Sequence, residues 1–329
     1  ETMQSERIQN LFAQSHAKHI LFEVNEDPNN FPAFDRRLED KVTFTAYSLL
    51  AASCSMLEQD LIEQGLVELE AAASILYKAH GPFIGESRES NFHVLIASMA
   101  FYAAGHYSRA FVAIRRVESF TEIANVIARF IRKDMKSLVK MINQVLLIDI
   151  PEFTNQAEVD EWYITIAIVR SLASIVEFVI TGAEHNLDEA KQALDDASII
   201  AEEGMLPAQW WIVRLLRLML QNLVGASLWQ SLPVFFDPTS IVFLDQYIRL
   251  LAFSSPPVIE LWASQRAALS MALNPTNRGG VINLRTSAGK TRVAELAILQ
   301  TLSIDPTAKI IYLAPFRSLA FEMERTLSS

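Results

Sequence analysis

Apolar residues recur at i, i+3, i+4 and i+7 along most of this chain. The pattern is clearest in "KVTFTAYSLLAASCSMLEQDLIEQGLVELEAAASILYKAH" (41–80), "NFHVLIASMAFYAAG" (91–105) and "EVDEWYITIAIVRSLASIVEFVITGA" (158–183). That spacing puts the apolar side chains on one face of a 3.6-residue helix, and abundant alanine favours the same backbone. The reading is helical from about Ser5 to Phe253. Breaks fall at Asp27-Pro28, Gly81-Pro82, Ile150-Pro151, Leu206-Pro207 and Leu232-Pro233, where proline removes a donor and disfavours helix in the residue before it. No run in this part alternates with a period of two. The pattern changes after "SSPPVIE" (254–260). "GGVINL" (279–284) and "KIIYLAP" (309–315) are short β-branched runs, and "KTRVAELAILQTLSI" (290–304) between them is helical. Strand, helix and strand in that order predict a βαβ unit.

Two helical segments resemble each other. "YAAGHYSRAFVAIRRVES" (102–119) and "TGAEHNLDEAKQALDDAS" (181–198) each pass from a helix end through a polar turn into a helix with an early alanine, Ala110 or Ala190. Each resembles the middle of a tetratricopeptide-type hairpin, although no full period repeats cleanly. The expected fold is therefore mainly α: an irregular helical bundle or degenerate helical-hairpin repeats over residues 1–255. The beginning of an α/β P-loop domain follows over 256–329.

Composition fits that division. The chain has 329 residues, 51% of them hydrophobic and 20% charged, enough for about two cores at roughly 150 residues each. The single cysteine, Cys54, excludes an internal disulfide framework and fits a reducing compartment. The first residues lack a basic region followed by an apolar run, so no secretory signal is read there. The expected location is cytoplasmic or nucleoid-associated. The most apolar stretch, "WWIVRLLRLMLQNLVGASLW" (210–229), is interrupted by Arg214 and Arg217. It reads as a buried helix with two snorkelling arginines rather than a membrane span.

Charge is uneven. Residues 256–329 carry eight Lys/Arg against five Asp/Glu, so residues 1–255 hold a net −13. An acidic surface repels phosphate. The large N-terminal part is thus a poor general clamp for nucleic acid and a better platform for a protein partner.

The candidate chemistry lies in "VINLRTSAGKTRVAELAI" (281–298). A nucleotide-phosphate loop needs small residues whose backbone N–H groups reach phosphate, a lysine for the β and γ phosphates, and a hydroxyl for Mg²⁺. Thr286, Ser287, Ala288 and Gly289 form such a loop. Lys290 supplies the cation and Thr291 the metal ligand, and the helix dipole adds a positive end. Leu284 stands where the strict pattern has its first glycine, so the preceding strand and following helix carry the reading. His16, His19 and Glu23 share one helical face, but no fourth metal ligand accompanies them.

These residues resemble motif I of superfamily-2 helicases, in particular the DExH branch that includes Ski-like helicases. "LWASQRAAL" (261–269) is similar to the upstream segment whose glutamine, here Gln265, reads adenine in that family. "YLAPFRSLAFEM" (312–323) is similar to motif Ia, with Pro315, Arg317 and Leu319 in the turn near the nucleic-acid backbone. Arg285 departs from the family's usual proline. The resemblance covers about residues 257–329 and implies a RecA-like domain that binds ATP and Mg²⁺ and moves on DNA or RNA. Full activity in that family also needs a D-E-x-[DH] box and a second RecA-like domain, which these residues do not contain. The chain is therefore expected to be the N-terminal portion of a larger helicase, with the helical part as an accessory module and little activity on its own. The alternatives are a helical scaffold with a non-hydrolysing or vestigial nucleotide site, and a P-loop ATPase of another kind. The setting of such a helicase would be repair, RNA turnover or antiviral defence.

Overall fold

The computed structural model describes residues 2–24, 37–81, 88–117, 121–274, 279–284, 289–314, 316–317, 320–321 and 324–325. Fourteen α-helices are found among them. In the N-terminal part these are α1 (Thr2–Glu23), α2 (Leu38–Glu58), α3 (Ile62–His80), α4 (Arg88–Ala103), α5 (Tyr107–Ile114), α6 (Glu122–Ile131) and α7 (Met135–Leu146). Next come α8 (Gln156–Thr181), α9 (His185–Glu203), α10 (Pro207–Ala226) and the single turn α11 (Leu228–Ser231). The last three are α12 (Ile241–Phe253), α13 (Ala263–Ala272) and α14 (Lys290–Ile304). Two compact units emerge. The first holds residues 1–178 and 183–222, the second residues 179–182 and 223–329.

In the first unit α4 is the central element. Thirteen of its sixteen residues are buried. A helix apolar all round must be surrounded, and α3, α5 and α6 all pack on it. Small residues at Ala97, Ser98, Ala100 and Ala103 let those neighbours approach. α2 packs on α3 with Val42, Ala46, Leu50, Cys54 and Leu57 facing inward. Burial pushes the Cys54 thiol up to a pKa of about 11.

The two hairpin-like segments fold as their residues suggest. Gly105 (φ 78°) and Gly182 (φ 73°) take the left-handed conformation after a helix end, which glycine adopts without a Cβ clash. Ala110 and Ala190 are fully buried in the helices that follow. The likeness stops there: α5 has eight residues and α9 nineteen, so the assembly is an irregular helical bundle. α8 is long and apolar enough to cross a membrane by length and composition. Ile164, Ile168, Leu172 and Phe178 on it are fully buried.

Three expectations need correction. Arg214 does not snorkel: it forms a two-pronged contact with Glu58 on α2 (Nε to Oε1 2.8 Å, Nη2 to Oε2 2.8 Å) and lies 5.0 Å from the Trp210 ring. Arg217 likewise pairs with Asp195. The second unit starts at Leu223, upstream of the proline boundary, because α11 and α12 share one apolar core with α13 and α14. Leu228, Leu232, Leu244, Ile248, Leu269 and Leu296 meet there. Third, neither 279–284 nor 309–314 forms a strand among the described residues. A strand exists through its ladder of partners, and these two runs do not pair with each other. Val281, Ile311 and Leu313 are consequently exposed.

A buried polar cluster in the first unit has a consequence in solution. The rings of His80 and His93 lie 4.2 Å apart. His80 Nε2 shares a hydrogen bond with Thr43 Oγ1 (2.6 Å), and His93 Nδ1 one with the Tyr47 hydroxyl (2.9 Å). Burial, then the neighbouring His93, pulls the His80 pKa down to about 3. Burial lowers that of His93 too, against Glu89 at 3.6 Å, which raises it. Unfolded histidine takes a proton near pH 6.5, before folded His80 does. The stability that His80 contributes is therefore complete above pH 6.5 and lost as pH falls toward 3, by about 1.4 kcal/mol per pH unit. Urea unfolding at pH 5 is expected to show about 2 kcal/mol less stability than at pH 7.5 from His80 alone. His80→Gln should flatten that slope, and an unchanged slope would show that the ring does not remain neutral.

Candidate functional site

The second unit presents the phosphate-loop residues at the start of α14. Gly289 is the N-cap residue, in the left-handed conformation (φ 77°, ψ 33°). Only glycine takes that turn without strain. It delivers Lys290 as the first helical residue and Thr291 as the second. Among the described residues no side chain caps this helix end; the Arg292 N–H bonds the Gly289 carbonyl (3.1 Å), which leaves the N–H groups of Lys290 and Thr291 and the positive dipole end for an anion. Lys290 is exposed and Thr291 half-buried. Thr286, Ser287 and Ala288 lie outside the described residues, as do Pro315 and Leu319. Arg317 is described and exposed.

Gln265 is brought to this turn. It is the third residue of α13 and is buried. Its Oε1 accepts the backbone N–H of Trp262 (2.8 Å), closing the start of α13. Its Nε2 donates to the carbonyl of Gly289 (3.2 Å). One side-chain amide thus ties the beginning of one helix to the turn that begins the other. A Cβ on Gly289 would stand 2.1 Å from Gln265 Nε2. Glycine at 289 is required twice, for its φ and for this contact. In this arrangement Gln265 holds the loop. Its Nε2 keeps a second N–H and its Oε1 a second lone pair, so the amide retains hydrogen-bonding capacity beyond these two partners.

A cavity of about 380 Å³ opens beside Lys290. Met271 and Ala272 of α13, Gly280 and Ile282 of the following stretch, and Val293 and Ala297 of α14 form its wall. The wall is apolar except for Asn274 and Lys290, so a charged phosphate group would meet it at the Lys290 end.

Sequence reasoning missed one arrangement. Arg292 contacts the Glu295 carboxylate and donates to the Tyr247 hydroxyl (3.1 Å), which lies 3.4 Å from the same carboxylate. Glu295 is buried, and burial raises its pKa against the lowering effect of Arg292. Burial also raises that of Tyr247. The i, i+3 spacing of Arg292 and Glu295 was a legible signal for that pair. Tyr247, forty-five positions upstream on α12, had none. The far end of α14 is fastened separately: Gln300 Nε2 donates to the carbonyls of Phe235 (2.5 Å) and Leu273 (2.6 Å).

The residues present fit ATP with Mg²⁺ in part. Lys290 and the open helix end suit phosphate, and the Thr291 hydroxyl is a suitable oxygen ligand. Mg²⁺ commonly takes few protein ligands and draws the rest from phosphate and water. No group of three metal-binding side chains occurs among the described residues.

Two substitutions test this geometry. Gly289→Ala forces alanine into a left-handed turn, at about 1–2 kcal/mol, and displaces the Gln265 amide. Urea unfolding should show that loss together with weakened binding of a fluorescent ATP analogue; full retention of both would mean that the turn relaxes freely. Glu295→Ala leaves the guanidinium of Arg292 without its counter-charge in a half-buried place. It should destabilise the chain by roughly 1–3 kcal/mol, whereas Glu295→Gln, which keeps an acceptor, should lose less in the same thermal melt.

Comparison with known proteins gives two matches. The DEAD/DEAH box helicase family matches residues 262–329. Over nearly its whole length the chain is similar to Hachiman protein HamB of Bacillus cereus, at 30% identity over 324 residues, which are 98% of this chain and 29% of that protein. The chain thus spans less than a third of the curated relative it matches. The matched segment, from Trp262 onward, carries Gln265, Gly289, Lys290 and Thr291.

Proposed function

We propose that this chain is the N-terminal portion of an ATP-dependent nucleic-acid helicase or translocase of the Ski-like DExH kind. Residues 1–255 would serve as a helical accessory module that docks a protein partner, and 256–329 as the start of the RecA-like motor. The observation that carries the reading is the left-handed turn at Gly289, which sets Lys290 and Thr291 on an uncapped helix end inside a segment matching DEAD/DEAH box helicases. The similarity to Hachiman protein HamB supports a place within a longer protein of that type.

The roles follow from chemistry. Phosphoryl transfer to water spreads negative charge over the γ-phosphoryl oxygens, so catalysis is mainly placement and charge neutralisation. Lys290 brings its ammonium to the β and γ phosphates. The backbone N–H groups of Gly289 and Lys290, with those of the small residues Thr286, Ser287 and Ala288 that precede them in sequence, would hold such phosphates. Thr291 offers one oxygen to Mg²⁺, which when bound neutralises phosphate charge. Gln265 holds the loop and is placed to sense the occupant. Arg317 would contact the phosphates of a DNA or RNA strand.

Titration of this chain with a fluorescent ATP analogue and Mg²⁺ tests the nucleotide site. Lys290→Ala should lower affinity at least tenfold, equivalent to about 1.4 kcal/mol. In the longest natural polypeptide containing this segment, single-stranded DNA or RNA should stimulate hydrolysis that the same substitution abolishes. Nucleotide binding indifferent to Lys290, with no hydrolysis in the long protein, would favour the scaffold with a vestigial site.

A further inference from the structure

The helical unit reverses its charge over one short stretch. Residues 1–255 carry a net −13, yet 115–140 hold seven Lys/Arg against three Asp/Glu, a local +4 that leaves −17 for the remainder. The stretch begins just after α5, contains α6 and enters α7, and α6 packs on both α5 and α7.

Arg132 organises the cluster. Its Nη2 donates to the carbonyls of Ile114 (2.7 Å) and Val117 (3.4 Å) at the end of α5. That draws it against the turn from which Arg115 and Arg116 project, both exposed. Arg129 precedes it by three positions at the end of α6. Burial first, then the charges of Arg129 and Arg115, hold Arg132 below the ordinary arginine range. Among the described residues no carboxylate closes an ion pair with Arg115, Arg116, Arg129 or Arg132. The acid that acts on Arg132, Asp134, is engaged in capping α7 through the Ser137 N–H (3.2 Å). Lys136 and Lys140, spaced by four on α7, are both exposed. Phe111, 39% exposed, lies 5.8 Å from the Arg115 guanidinium.

Among the described residues Asp134 is the one acid acting on this group of cations, and an excess of like charge is costly for a folded chain unless a polyanion relieves it. A peptide carboxylate would find many competing cations; a phosphodiester backbone offers the regular succession of charges that a row of arginines and lysines meets. An aromatic ring beside them suits base stacking on a single strand. We propose that this face of α5, α6 and α7 is a nucleic-acid contact separate from the motor, with the phosphates of a single strand lying across Arg115, Arg116, Arg129, Lys136 and Lys140. Strand binding here requires no ATP, so it stands beyond the nucleotide-site reading. The general expectation that the acidic part avoids nucleic acid fails at this one place.

Fluorescence anisotropy of the 329-residue chain with a labelled single-stranded oligodeoxythymidylate of about twenty nucleotides, without nucleotide, tests the proposal at about 50 to 200 mM salt. The combined variant Arg115→Glu, Lys136→Glu, Lys140→Glu should bind at least tenfold more weakly and lower the logarithmic salt slope by about 2. Arg170→Glu, an exposed site elsewhere in the same unit, should bind like the unaltered chain. Equal weakening by Arg170→Glu, an unaffected combined variant, no binding by the unaltered chain at low salt, or stronger competition by poly-glutamate than by unlabelled oligonucleotide would each overturn it. If the combined variant loses helical circular dichroism, Arg115→Gln and Lys140→Gln singly should each reduce the slope, and an unchanged slope in both overturns the proposal. ATP-analogue affinity read on the same sample separates the two readings, since a chain that holds the strand but not the nucleotide overturns only the motor assignment.

Discussion

The helical unit depends on α4 having almost no surface of its own. A helix buried along thirteen of sixteen residues fixes where its neighbours sit, because each must cover a particular set of apolar side chains to keep water out. α3, α5 and α6 are placed by that demand, and α2 follows through α3. The polar groups admitted to this interior, His80 and His93, are there because Thr43 and Tyr47 satisfy them. Burial without those hydroxyls would be costly.

The second unit is organised around α14, which is held at three heights. Gln265 holds the carbonyl of its cap residue, Tyr247 and Glu295 hold Arg292 one turn later, and Gln300 grips two carbonyls near its end. Each fastening is a polar contact made by or to α14, added to a shared apolar core. The carbonyl of Gly289 is thus held by Gln265 and the Arg292 side chain by Tyr247 and Glu295. A helix fixed in this way can present Lys290 and Thr291 without reorganising when charge arrives.

Local chemistry was legible in the sequence and long-range pairing was not. The polar turns that lead into the helices of Ala110 and Ala190 were legible, as was a helix opening at Lys290 behind a loop of small residues. The helical periodicity and the halt at the 254–257 prolines were equally local. The contact of Gln265 with Gly289, the ion pair of Arg214 with Glu58 and the Tyr247 link join residues 24 to 156 positions apart; no spacing rule encodes them. Periodicity read α12 as the end of the helical part because a helix face does not state which core it joins. The β-branched runs 279–284 and 309–315 suggested strands because intrinsic preference reports what a segment suits, while a strand also needs partners. The net charge of the N-terminal part hid a basic stretch at 115–140 that a local count of the same sequence exposes.

Cys54 has a consequence for chemistry around the chain. It is the sole thiol in this sequence, lies in the interior of α2 with no exposed surface, and is held at a pKa of about 11. At neutral pH only about one molecule in ten thousand carries the thiolate that oxidants and electrophiles attack. The folded chain is therefore nearly inert to thiol reagents. A cysteine placed on an exposed position of α7 would take a dye or crosslinker alone, with the native residue left in place.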